Sequence, residues 1–159
     1  MKNACFIFLL FFTVHISSAQ TATWDSTYRP NNYALKLAQF KSYPNATTDV
    51  VFLGNSITDY TDWNELLQLK EARNRGISGD ITFGLLERLE EVTEGKPAKI
   101  FILAGTNDIA RNIPDDVILN NFERMMQLIK SASPKTKIYI NSIFPVNNNF
   151  PVRNHFNKE

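Results

Sequence analysis

Val50-Val51-Phe52-Leu53 is wholly apolar and is closed at once by Gly54. A strand with one face in water alternates apolar and polar residues. A short run that is apolar at every position suits a strand buried on both faces, as in the centre of a parallel sheet. The pattern recurs: Lys99 to Leu103 (KIFIL) reads as a second buried strand ended by Ala104-Gly105, and Lys137 to Ile143 (KIYINSI) as the last. Arg73 to Ile77 reads as a short strand between them in chain order, before the Ser78-Gly79 turn. Parallel neighbours need long crossovers, usually helical, and the intervals are helix-like. Asn32 to Lys41 reads as a leading helix, and a helix carrying Trp63, Leu66 and Leu67 follows the first strand. Leu85, Leu86, Leu89 and Val92 recur at helical spacing, with Asp80 as cap and Gly95 with Pro97 as stop. Pro114 opens a further helix with Ile118, Phe122, Met125 and Ile129 on one face. Met125 and Met126 read as core fillers. The count is four strands and three connecting helices, an α/β domain whose final strand is followed by no helix.

The first twenty residues stand apart. Lys2 precedes an apolar run from Ala4 to Val14, and Ser17-Ser18-Ala19 follows. The run is too short to span a bilayer but has the build of a secretory signal peptide, with cleavage after Ala19. Cys5, the one cysteine, lies inside that run, not just after it, which argues against a lipid-anchored thiol. The expected organisation is therefore a signal peptide over 1–19, a lead-in segment over 20–48 and one catalytic-type domain over 49–159. Cleavage leaves no cysteine and, as histidine, only His155. Disulfides, a thiol nucleophile and a thiolate metal site are then excluded, and a single histidine argues against a zinc site built from imidazole. Export without disulfides fits a bacterial envelope, so a secreted or periplasmic location is expected. A net charge of +1 gives no reason to expect nucleic acid or an acidic membrane as partner.

Ligands of open parallel sheets bind beyond the carboxyl ends of the strands, and three such ends carry small or polar residues. In Gly54-Asn55-Ser56-Ile57-Thr58, glycine lets the chain turn off the strand and Ser56 lands at a turn into a helix. A hydroxyl there is either an exposed nucleophile or only a helix cap. In Asn74-Arg75-Gly76-Ile77-Ser78-Gly79-Asp80, two glycines allow backbone N–H groups to converge on an anion, or simply form a left-handed turn. In Gly105-Thr106-Asn107-Asp108, the Asn107 amide can donate to an oxyanion, and Asp108 can cap or orient the loop.

Together these segments resemble the SGNH hydrolases, also called the GDSL esterase/lipase family, over about Asp49 to Val146. The second block is similar to its form in the platelet-activating-factor acetylhydrolase-like and sialate O-acetylesterase-like branches. The resemblance implies a three-layer α/β/α sandwich with a flavodoxin-like parallel sheet, and ester hydrolysis with no metal or cofactor. It implies Ser56 as nucleophile, with the backbone N–H groups of Ser56 and Gly79 and the Asn107 amide as oxyanion hole. It also implies small O-acyl or O-acetyl esters of carbohydrates or lipids as substrates. Asn55 stands where many members have Asp, a change at a position that is not the base. Arg111 and Trp63 are candidates to line the cleft, Trp63 equally a core residue.

The family's last block, Asp-x-x-His, supplies the base and its orienting carboxylate, and the sequence contains no such tetrad. His155, in an Asn-rich stretch, reads as a loop histidine and not as the base. The expectation is therefore an esterase domain cut before its final strand and helix, with little or no activity. Its Lys137–Ile143 strand would form an open edge prone to self-association. A non-catalytic binding module that keeps the cleft is the second reading. A flavin or nucleotide protein is the third, weakened by the lack of a Gly-rich phosphate loop.

Overall fold

The structure, a computed structural model, describes residues 23–143. The signal-peptide segment, Cys5 and His155 lie outside the described residues. In chain order the elements are α1 (Tyr33–Lys41), β1 (Val50–Gly54), α2 (Ser56–Asp59), α3 (Trp63–Leu67), β2 (Ala72–Gly76), α4 (Thr82–Glu87), α5 (Leu89–Glu94), β3 (Lys99–Leu103), α6 (Thr106–Ala110), α7 (Asp115–Ala132) and β4 (Lys137–Ile140). The four strands form one sheet in the order β2-β1-β3-β4, with every pairing parallel. This is the expected α/β architecture, and the apolar run of β1 explains its centre: all five of its residues are buried.

Side chains alternate across the sheet, and each face builds its own core. Val51 and Leu53 of β1 with Ile100 and Ile102 of β3 pack against Leu85, Leu89 and Val92, and against Ile118, Phe122, Met125 and Ile129 of α7. The predicted apolar stripe of α7 is thus the stripe it buries, and Pro114 is its N-cap. On the opposite face Val50, Phe52 and Ala72 pack with Trp63, Leu69 and Phe101. Aromatic rings run along that face from Trp63 through Phe52 and Phe101 to Tyr139, with centroids 4.0, 5.2 and 4.6 Å apart.

Three expected elements differ. The helix after β1 is two short pieces, and Leu66 and Leu67 are exposed at 65% and 48%. Asp62 caps α3, and Trp63 is the α3 residue that packs on the sheet, stacked on Phe52. The helix expected across Leu85 to Val92 breaks at Arg88 (φ −107°, ψ 13°), giving α4 and α5. The last strand stops at Ile140, although Asn141 still donates to the Ile102 carbonyl at 2.9 Å. Among the described residues, no helix is long and apolar enough to cross a membrane.

Candidate active site

Gly54 at the end of β1 pairs in register with Gly76 of β2 on one side and Leu103 of β3 on the other. The three chemistry-bearing loops therefore leave the sheet side by side at one rim. Their first residues are held close: Ile77 N–H donates to the Gly54 carbonyl at 3.0 Å, and Ser78 N–H to Asp59 Oδ2 at 3.0 Å. Asn74, inside β2, braces the same corner. Its amide lies 2.8, 3.1 and 3.0 Å from the carbonyls of Thr58, Asp59 and Thr61, and its Oδ1 accepts from Gly76 N–H.

The helix cap after β1 is Asn55, whose Oδ1 accepts from Ile57 N–H at 3.3 Å. Ser56 is therefore not the cap. It is the first residue of α2 and half-buried, and among the described residues its hydroxyl and its N–H have no hydrogen-bond partner. Gly54 is not in a left-handed conformation; only Gly79 and Gly105 among the described glycines have positive φ. A Cβ at Gly54 would instead collide with the Thr58 hydroxyl and the Leu103 carbonyl. Glycine is needed there because β1, α2 and β3 approach closely.

Gly79 has φ +83°, which disfavours any side chain. Around it, Asp80 N–H donates to the Ile77 carbonyl at 3.1 Å and Ser78 N–H is taken by Asp59, whereas Gly79 N–H has no acceptor among the described residues. The left-handed turn and a free N–H occur together. Asn107 reaches the same turn: its Nδ2 donates to the Asp80 carbonyl at 2.8 Å. A primary amide has two N–H bonds, so one remains. Gly79 and Asn107, like Ser56, are half-buried.

Behind the rim lies a buried polar frame. Asp80 was expected to cap the next helix, but the N-cap of α4 is Ile81, without a side-chain cap bond. The Asp80 carboxylate accepts from Ile81 N–H and from Arg88 Nε, with both side chains wholly buried. Burial pushes the Asp80 carboxyl up to about 6, against the pull of Arg88. Asp108 provides the capping that Asp80 does not. It accepts from Thr82 N–H at 3.0 Å and from the Thr82 hydroxyl at 2.5 Å, across 26 residues of sequence. Burial raises its carboxyl too, and the Thr82 bonds oppose that rise. Asn121 of α7 completes the chain by donating to Thr82 Oγ1 at 2.9 Å. A second buried pair, Arg75 with Glu91 at 2.6 Å, lies beside the first.

Trp63 belongs to the core and not to the cleft. It stacks on Phe52 and donates its Nε1 to the Thr58 carbonyl at 3.1 Å. Arg111 follows α6 and lies over the Tyr28 ring, 3.2 Å from its centre. Tyr28 and Pro30 come from the lead-in segment, and they are what a Cβ on Gly79 would meet, at 3.6 and 3.4 Å. Sequence reasoning gave these two residues no role, since an isolated Tyr in a non-periodic stretch carries no signal. Among the described residues, no group of three or more His, Cys, Asp or Glu could hold a metal ion.

The chain is similar to known proteins of one family. The chain is 35% identical over 103 residues to the platelet-activating factor acetylhydrolase IB subunit alpha2 of Homo sapiens, a match covering 61% of this chain and 44% of that one. The alpha1 subunit from Mus musculus is 27% identical over the same length. The chain thus spans less than half the length of the relatives it matches. Among solved structures, a GDSL-like lipase from Bacteroides thetaiotaomicron superposes with a TM-score of 0.63 at 29% identity, over 77% of this chain and 62% of that one. The family model for GDSL-like lipases and acylhydrolases matches residues 52–159. That span takes in all three strand-end loops, and the chain belongs to the GDSL-like lipase/acylhydrolase family.

Proposed function

We propose that the protein is a serine acylhydrolase for small O-acyl esters, O-acetyl esters of carbohydrates or lipids foremost. Ser56 Oγ attacks the ester carbonyl and the alcohol leaves, and water then hydrolyses the acyl-serine. The oxyanion of each tetrahedral intermediate takes hydrogen bonds from the N–H groups of Ser56 and Gly79 and from the remaining Asn107 amide hydrogen. One observation carries this reading: these donors lie on adjoining strand ends with no acceptor of their own, and Asn107 is fastened to the Gly79–Asp80 turn. The acetylhydrolase relatives support an acetyl group as the acyl part. The Lys2 and Ala4–Val14 pattern supports a secreted or periplasmic site of action.

Proton transfer needs one group more. Ser56 must lose its proton to a base within hydrogen-bond reach, and no Asp-x-x-His occurs in the sequence. Loss of the base costs about a millionfold in turnover in a well-studied serine protease, leaving what oxyanion stabilisation and binding supply. These 159 residues by themselves are expected to turn esters over very slowly or not at all. The same observation favours, as a second reading, a module that binds acylated ligands without turning them over.

Incubation with a neutral alkyl fluorophosphonate, followed by peptide mass spectrometry, tests the assignment. Slow modification of Ser56 is expected, absent in Ser56→Ala and about a hundredfold slower in Asn107→Ala. Turnover of p-nitrophenyl acetate should stay near the uncatalysed rate. Modification at another residue would overturn the nucleophile, and fast turnover would overturn the low activity.

A further inference from the structure

Arg88 takes no part in the chemistry just described, yet three groups at the rim converge on it. Its side chain sits at the break between α4 and α5 and is wholly buried. Nη2 donates to the Gly54 carbonyl at 3.1 Å, Nη1 to the Arg75 carbonyl at 2.8 Å, and Nε to Asp80 Oδ2 at 3.1 Å. Gly54 lies two residues before Ser56. Asp80 directly follows Gly79, and its own carbonyl holds Asn107. One planar cation thus joins the end of β1, the end of β2 and the first residue after the Gly79 turn.

We propose that Arg88 is a positioning residue for acyl transfer, fixing the turn that carries Ser56 against the Gly79–Asp80 turn to which Asn107 of α6 is fastened. The inference rests on Ser56 being the nucleophile. Three acceptors spread along an edge suit the fork of a guanidinium, with its fixed N–H directions. A lysine ammonium keeps the charge beside Asp80 but has one nitrogen, and it cannot reach both carbonyls and the carboxylate together. Were Arg88 only a buried ion-pair partner holding α4 to the sheet, Arg88→Lys would loosen the whole domain evenly. As a positioning residue, its replacement loosens the rim selectively.

Hydrogen exchange read by mass spectrometry on the intact 159-residue chain separates the two. In Arg88→Lys, peptides covering 54–60 and 76–82 should exchange at least tenfold faster than in the parent, with 118–132 unchanged. Equal acceleration in all three, or none at the rim, would overturn the proposal. If Arg88→Lys does not fold, Asp80→Asn removes one of the three anchors and should accelerate the same two peptides severalfold; an unchanged rim would overturn the proposal equally. The fluorophosphonate reaction gives a second readout: the maximal labelling rate of Ser56 should fall about tenfold in Arg88→Lys while the half-saturating probe concentration holds. Absence of labelling in the parent chain would count against the nucleophile alone, because exchange decides the role of Arg88 whether or not Ser56 reacts.

Discussion

At the β1–β2 side of the sheet, strand ends meet a buried polar frame; at the other side, among the described residues, β4 forms the edge. Behind Ser56 and Gly79 lie two buried ion pairs, Arg88 with Asp80 and Arg75 with Glu91, and the Asp108–Thr82–Asn121 chain. β4 carries Tyr139 and Ile140 at 42% and 45% exposure, and among the described residues it pairs only with β3. Buried ionic groups lower net stability compared with an apolar core of equal volume, but they lock geometry because each partner is costly to strand. An edge strand costs little to alter and is open to further pairing. The contrast teaches where this fold invests precision: at the turns that carry the proposed chemistry, and not along the sheet.

The largest effect expected from breaking that contrast is at the frame. Arg88→Met leaves the Asp80 carboxylate buried without its cation and should cost about 3–5 kcal/mol in urea unfolding. A cost below about 1 kcal/mol would mean that the frame does not bear on stability.

The pH dependence of the same pair comes next. Asp80 holds its proton up to about 6 in the fold, against 3.8 for the ordinary carboxyl. The folded state binds more protons than the unfolded between those values, so this group's contribution to stability is full below 3.8 and is lost as pH rises towards 6. The change is about 1.4 kcal/mol per pH unit for one group. Arg88, Arg29 and Tyr33 face Asp80 electrostatically, Tyr33 with its own hydroxyl pushed up to about 12 by burial and by Asp80. Urea midpoints of the parent and Asp80→Asn, compared at pH 4, 5, 6 and 7.5, isolate the effect. The parent should lose ground to the variant up to about pH 6 and hold level above it; a constant difference would refute the assignment.

Gly79→Ala sharpens the comparison at the rim. A side chain at φ +83°, 3.4 Å from Pro30, should cost about 1–2 kcal/mol and slow Ser56 labelling. The smallest stability effect belongs to the edge. Ile140→Lys should change unfolding by less than about 0.5 kcal/mol, but it should abolish concentration-dependent association in sedimentation velocity. A parent chain that sediments as a monomer at all concentrations would show that the β4 edge is not adhesive.

Much of this fold was legible because apolar periodicity records burial. The runs at Val50–Leu53 and Lys99–Leu103 and the stripe Ile118–Ile129 each appear where they were expected. The two short pieces after β1 were not legible, since Leu66 and Leu67 are apolar yet exposed. Nor was the break at Arg88, because Leu85, Leu86, Leu89 and Val92 keep a helical spacing straight through it. At the candidate site, the loops could be read from residue type and position, but their fastening could not. Asp108 to Thr82 and Arg88 to Gly54 join residues 26 and 34 apart, and local sequence says nothing about such partners. Tyr28 beside Gly79 was missed for the same reason.

A crystal structure of the chain after prolonged reaction with the fluorophosphonate tests the central claim most directly. The account predicts a phosphonyl group on Ser56 Oγ, its oxygen about 3 Å from both Gly79 N and Asn107 Nδ2. An adduct whose oxygen points away from those two nitrogens, or a Ser56 left unmodified at alkaline pH, would contradict it.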